Sequence, residues 1–267
     1  MRKLLCIAAA LLPLAAQAHM TWLLPNASLV TSRDGVVSID GGVSEDLFVF
    51  ERALKLDELR ITGPAGLKLQ AENRQAARHR ESFDVTLPKE GTYRISNISQ
   101  ALMGAYKLGG ETKRFRSTPA TLAKDLPAGA ELTSLTRMSN RQQTFVSREE
   151  AGELNFAPEG DGLELLPLTP VTDLSNGDTS RFRLLLDGKP LADATLSLRR
   201  GGNRYRYKMG EITLKTDAKG EFSMQWTEPG EYWLGASVGA RGPAQGGTLE
   251  KPVERAALSV TLEVRPR

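Results

Sequence analysis

Few side chains in this sequence are equipped for metal or nucleophilic chemistry, and that scarcity singles out His19. The chain holds two histidines, His19 and His79, and one cysteine, Cys6. His19 follows Ala16-Gln17-Ala18, an A-x-A signature of the kind cut by signal peptidase. Cleavage after Ala18 makes His19 the first residue of the mature protein. Its α-amine, with a reference pKa of about 8, then closes one chelate ring with the imidazole Nδ1. Nitrogen donors in tetragonal geometry suit Cu(II) or Ni(II). A histidine brace needs a second imidazole, for which His79 is the candidate. It lies within Arg78-His79-Arg80, where two cations oppose a metal ion, and it also reads as a plain surface histidine. Asp40 and Asp46 flank a glycine-containing loop, and Asp46 is the acid that we expect to add an oxygen donor, although such acids are commonly loop or cap residues. His19, Asp46 and His79 are thus the expected metal ligands.

The segment that precedes His19 has the three parts of an export signal. Arg2 and Lys3 are the basic start, Leu4 to Ala15 is an apolar run broken by Pro13, and the A-x-A site follows. The apolar run is about a dozen residues, too short for a spanning helix. Residues 1–18 are therefore expected to be a cleaved signal peptide, and the mature chain an exported protein that does not span a membrane. Cys6 lies within the leader. Its removal leaves no disulfide, no thiolate zinc site and no cysteine nucleophile.

Other chemistries find little to work with. A Ser-His-Asp triad would have to use one of the two histidines, and no nucleophile elbow is present. No glycine loop is built to cradle phosphate. The chain has 35 basic and 32 acidic residues, and loss of Arg2 and Lys3 brings it close to neutrality. The charges are interspersed, so no nucleic-acid footprint emerges. A non-enzymatic protein is the expectation.

The elements that must position His19 are strands. Trp22-Leu23-Leu24 opens the mature chain, Val36 to Asp40 alternates, and Leu47 to Phe50 is a short apolar run. Leu59-Arg60-Ile61 leads into the turn Gly63-Pro64-Ala65-Gly66 and on to Leu67-Lys68-Leu69. Phe83, Val85 and Leu87 point one way and Ser82, Asp84 and Thr86 the other. Gly91 to Ile98 follows. One short peripheral helix is expected after Thr118-Pro119, with Leu122 and Leu126 on one face and Pro127 as its stop. The turn-rich stretch 157–162, with Pro167 and Pro170, reads as a connection. Beyond it, Phe182–Leu186 with Ala194–Leu198, and Gly210–Thr216 with Glu221–Trp226, read as two hairpins around polar turns. Tyr232–Ser237 and Leu258–Val264 complete the set. The basic and aromatic segment Arg199–Lys208 reads as a charged hairpin over a sheet face.

An internal echo supports two sandwiches. Phe83, Gly91 and Tyr93 recur as Phe222, Gly230 and Tyr232 at the same spacings, each with a proline and a glutamate in the turn. Such a tyrosine can bond its hydroxyl to a corner backbone group. The expected fold is all-β, with two Ig-like or transthyretin-like β-sandwich domains, 19–165 and 173–267, joined by a linker at 166–172.

A wider resemblance rests on Ala18-His19-Met20-Thr21-Trp22-Leu23-Leu24-Pro25, Asp46-Leu47-Phe48-Val49-Phe50, Thr112-Lys113-Arg114-Phe115-Arg116, Arg183 to Pro190 and Gly230-Glu231-Tyr232-Trp233-Leu234. These stretches resemble an uncharacterised periplasmic family of proteobacteria, often labelled the periplasmic component of cobalt- or nickel-type ABC transport systems. The resemblance implies a periplasmic location, cobalt, nickel or copper as the divalent transition metal, and a membrane transporter component as partner. Residues 173–240 also resemble transthyretin-like modules of exported proteins. Two other readings compete with metal transport. One is a metal-free scaffold whose Ig-like module contacts a protein or glycan. The other is a copper oxidase built on an N-terminal brace.

Overall fold

The computed structural model describes residues 19–206, 210–239 and 246–267. The export signal expected over 1–18, and Tyr207 and Lys208 of the basic segment, lie outside the described residues. Among the described residues, fifteen strands of four or more residues and one short α-helix make up the fold. The first half contains β1 (Met20–Pro25), β2 (Val36–Ser44), β3 (Glu58–Thr62), β4 (Glu72–Ala76) and β5 (Glu81–Thr86). It continues with β6 (Gly91–Leu108), β7 (Glu111–Ser117), α1 (Leu122–Asp125) and β8 (Glu131–Arg148). The second half contains β9 (Leu163–Pro167), β10 (Thr179–Leu186), β11 (Thr195–Arg200) and β12 (Ile212–Lys215), then β13 (Glu221–Gln225), β14 (Gly230–Val238) and β15 (Val253–Arg265). The fold is all-β, as its alternating patterns dictate.

Among the described residues these strands form three sheets. One runs β1-β2-β5-β4, and a small one pairs β10 with β9 and β13. The largest runs β12-β11-β14-β15-β8-β6-β3, with β7 on the outer side of β6. Its centre is a parallel seam, in which Thr136–Thr144 of β8 pairs with Val253–Thr261 of β15. One sheet thus runs through both halves of the chain. Each half buries its own apolar cluster against it. The first includes Leu23, Ile39, Phe83, Tyr93 and Ile95. The second includes Phe182, Trp226, Tyr232 and Val260, and it also takes Phe145, Leu163 and Leu165 from earlier in the chain.

The repeated corner forms twice. The Tyr93 hydroxyl donates to the Lys89 carbonyl at 2.7 Å and accepts from the Lys89 N–H at 3.0 Å. The Tyr232 hydroxyl donates to the Glu228 carbonyl at 2.7 Å. Gly91 and Gly230 enter their strands at φ 112° and 142°, which side-chain-bearing residues rarely adopt. Both phenylalanines of the echo are buried.

Several local expectations need correction. Leu47 to Phe50 forms a turn, not a strand, and Phe48 sits at φ 64°. Its apolar side chains serve a cluster around Trp22 and Met20 rather than a ladder. The helix is a single turn with Thr121 at its N-terminal boundary, because Thr118 is spent bonding Thr121 in the preceding turn. Neither first strand of the two expected hairpins pairs with its expected return strand. β10 pairs with β9 and β13, whereas β11 and β12 pair with each other in the large sheet. The Asp187-Gly188 turn closes a two-residue hairpin, with Leu186 opposite Lys189 and Leu185 opposite Pro190, before the chain crosses to the large sheet, and the chain after Asp217–Gly220 crosses back. Gly91–Ile98 is the start of an 18-residue strand, and β7 and β8 add a second long ladder beside it.

Candidate metal centre

His19 stands at one end of the first sheet because β1 pairs antiparallel with β2, Met20 opposite Ser44. That register sets His19 beside Glu45. The His19 Nε2 lies 3.5 Å from Glu45 Oε1, with both side chains about half exposed. On the other flank of β2, Val43 pairs with Arg52. This brings Glu51 to the same end, where its Oε2 accepts from the Glu45 N–H at 3.5 Å. His79, exposed in the turn between β4 and β5, follows, its Nδ1 2.8 Å from the Glu51 carbonyl oxygen.

The three residues expected as ligands are thus drawn to one region but given different partners. Asp46 Oδ2 accepts from Arg204 Nε at 2.9 Å, an ion pair that links the two halves of the chain. His79 is occupied through Nδ1, and His19 faces Glu45. Among the described residues, no three His, Cys, Asp or Glu side chains converge as a metal cluster. The donor set that fits a metal is narrower. With Nε2–H turned toward the Glu45 carboxylate, 3.5 Å away, the imidazole would keep its lone pair on Nδ1, the atom that chelates with an α-amine. Glu45 was not foreseen, although it adjoins Asp46 in the sequence. Its relevance comes from the β1–β2 register, which alternation alone does not set.

The floor beside this end is aromatic. Trp22 is fully buried and meets the rings of Phe48 and Phe50 edge-on at 5.6 and 5.9 Å. Arg80 lies over the Phe50 ring at 5.9 Å. Trp233 Nε1 donates to the Thr21 carbonyl at 3.0 Å, which fastens the first strand to β14. Gly201 faces Phe48 so closely that a Cβ there would come within 2.6 Å of the ring.

A second polar cluster, buried and remote in sequence from His19, also escaped sequence reasoning. Arg94 of β6 and Arg141 of β8 are both almost fully buried. Glu159 receives Arg94 at 2.8 Å, Arg141 at 2.6 Å and Arg60 at 3.1 Å. Arg141 and Arg60 also hold Asp161, at 2.5 and 2.9 Å. Glu164 accepts the Glu159 N–H at 2.9 Å. Burial acts to raise the Glu159 carboxyl, but Arg141 and then Arg94 outweigh it and hold the group below its usual range. This network pins the irregular connection before β9 and has the character of a structural clamp.

Among the described residues, no helix is long and apolar enough to cross a membrane. A family model described as "Domain of unknown function (DUF4198)" matches residues 16–240. Comparison with curated proteins finds no match. Among solved structures the chain is similar to the D0-D1 domain of intimin, at 13% identity over 92% of this chain and 100% of that one, with a TM-score of 0.21. It is also similar to a Salmonella alpha-2-macroglobulin reacted with methylamine, at 14% identity over 92% of this chain and 15% of that one, TM-score 0.25. An Escherichia coli alpha-2-macroglobulin activated by porcine elastase matches at 15% identity over 93% and 20%, TM-score 0.23. Likenesses at these scores assign no activity.

Proposed function

The chain belongs to the DUF4198 family, and from that premise, which leaves the chemistry to the residues, we propose a periplasmic, non-enzymatic protein that binds a divalent transition metal. The observation that carries the reading is the 3.5 Å approach of His19 Nε2 to Glu45. Once signal cleavage frees the α-amine, that contact presents Nδ1 and the amine as a bidentate nitrogen pair. Such donors favour Cu(II) or Ni(II) over Co(II) in the usual order of affinity. Glu45 acts as an orienting partner. Asp46 and His79 contribute only by giving up Arg204 and the Glu51 carbonyl. The cargo would pass to, or be sensed for, an uptake system with a membrane transporter component.

Titration of the mature protein with Cu(II) and Ni(II) tests the proposal. His19→Ala removes binding, and Glu45→Gln weakens it by about 10- to 100-fold, the usual scale for a lost orienting partner. A signal-retaining or His19→Ala protein that binds as tightly as the mature one overturns it.

One observation favours the metal-free scaffold reading. Tyr205 is 84% exposed on the turn after β11, beside Arg204 and Arg206. A partner protein or glycan captured from envelope extract equally well with and without chelator, and lost in Tyr205→Ala, supports that alternative. The oxidase reading needs His79 in the coordination sphere of His19, whereas His79 bonds the Glu51 backbone.

A further inference from the structure

A small cleft lies at the far end of β1 from His19, where the chain leaving β1 passes the large sheet. It encloses about 30 Å³, room for one water molecule or one ion but not for an organic ligand. Leu24, Pro25 and Asn26 roof it, and Glu231, Thr261 and Glu263 form its floor.

The floor is unusual in its charges. Glu231 of β14 and Glu263 of β15 are directly opposed across an antiparallel pair. Side chains so placed have Cβ atoms about 5 Å apart, and like charges there repel. Neither carboxylate has an ion-pair partner among the described residues, and the charge acting on Glu231 is Glu263 itself. Glu231 is solvent-exposed as a residue, yet burial and then Glu263 raise its carboxyl above the usual range. Glu263 is fixed in place by Ser28, whose N–H and hydroxyl donate to Oε2 at 2.8 and 2.6 Å.

Thr261 gives a separate indication. It is 2% exposed, and its hydroxyl has no hydrogen-bond partner among the described residues. Its carbonyl is used instead, accepting from the Thr144 hydroxyl at 3.1 Å. Two residues apart on one strand, Thr261 and Glu263 share a face, and both residues line the cleft. A buried hydroxyl without a partner is costly, and a cation would satisfy it while neutralising both acids.

We propose that this cleft is a binding site for a hard divalent cation of the calcium type, held by the Glu231 and Glu263 carboxylates and the Thr261 hydroxyl. Every donor is oxygen, as such ions require. A site with two carboxylates and otherwise neutral or water oxygens also accounts for the lack of a three-residue His/Cys/Asp/Glu cluster. The ion would tie the tail of β1 to the β14–β15 ladder. The site is independent of His19, whose nitrogen donors select different metals.

Calcium titration of the purified protein, followed by calorimetry and thermal unfolding, is the test. The expected Kd is about 10⁻⁴–10⁻³ M, the scale of extracellular calcium modules. Calcium at 100 times Kd should raise Tm by about 5–10 °C. Glu231→Gln, which removes the repulsion and keeps the shape, and Thr261→Val each weaken binding at least tenfold. His19→Ala leaves the calcium response intact, so failure here is distinct from failure of the transition-metal site. The proposal is overturned if folded protein shows no calcium response, if Glu231→Gln responds as the native protein does, or if the pair merely shares a proton, with a raised titration that calcium does not displace.

Discussion

At the residue scale, the tyrosines at 93 and 232 show how one hydroxyl settles a corner. Each ring is buried, and each hydroxyl reaches the carbonyl four residues back across a turn containing a glycine at positive φ. The ring supplies burial and the hydroxyl satisfies a carbonyl that has left the ladder. Tyr93→Phe and Tyr232→Phe are each expected to cost about 1 kcal/mol, the usual net worth of such a bond. Urea unfolding of the two variants measures this, and an unchanged midpoint in both would count against the corner role. His19 and Glu45 belong to this scale too. The histidine was visible in the sequence because it alone follows a cleavage signature in a chain with two histidines, whereas Glu45 became relevant only when Met20 was seen opposite Ser44.

The element of most consequence is the irregular connection between β8 and β9. It has few strand signals, yet Glu159 and Asp161 are held by three arginines from β3, β6 and β8. Arg94 also lies over the Phe156 ring at 5.3 Å, so its charge is covered from a second side. Removing one partner from a buried ion cluster strands the others. Glu159→Gln should therefore destabilise by about 3–5 kcal/mol, read from denaturant midpoints. The pH dependence follows from the low-held Glu159 carboxyl. A group with a depressed folded-state pKa contributes stability above its unfolded pKa of about 4.3 and loses it as pH falls through the folded value. The native protein should lose stability over that acid range more steeply than Glu159→Gln does. Composition could not reveal this cluster, because arginines on alternating strands look the same whether they face solvent or a buried acid.

At the scale of the whole molecule, the parallel seam between β8 and β15 is decisive. Residues more than a hundred positions apart in the chain lie side by side, and the second apolar cluster takes Phe145, Leu163 and Leu165 from before residue 166. A segment of 173–267 made alone would leave the long edge of β15 without its β8 partner and the core without those three side chains. We expect it to remain unfolded, and dispersed amide signals in an NMR spectrum of that segment would contradict this. In the intact protein the shared sheet should make the two halves unfold together.

The amino-acid sequence alone determined the all-β character, most strand positions, the twin tyrosine corners and the one histidine worth testing. Each is a local property: alternation selects strands, a glycine and a tyrosine at fixed spacing make a corner, and composition limits the available ligands. Tertiary structure decided what local patterns leave open. A polar turn such as Asp217–Gly220 is compatible with a hairpin or with a crossing between sheets, and only the docking of β12 onto β11 and of β13 onto β10 chose the crossing. Phe48 and Phe50 have strand-like composition, but Trp22 recruits them into a turn. The pairing of Glu231 with Glu263, and of Arg94 with Glu159, likewise exists only after distant strands have docked, because registers between remote segments are set by the shared core.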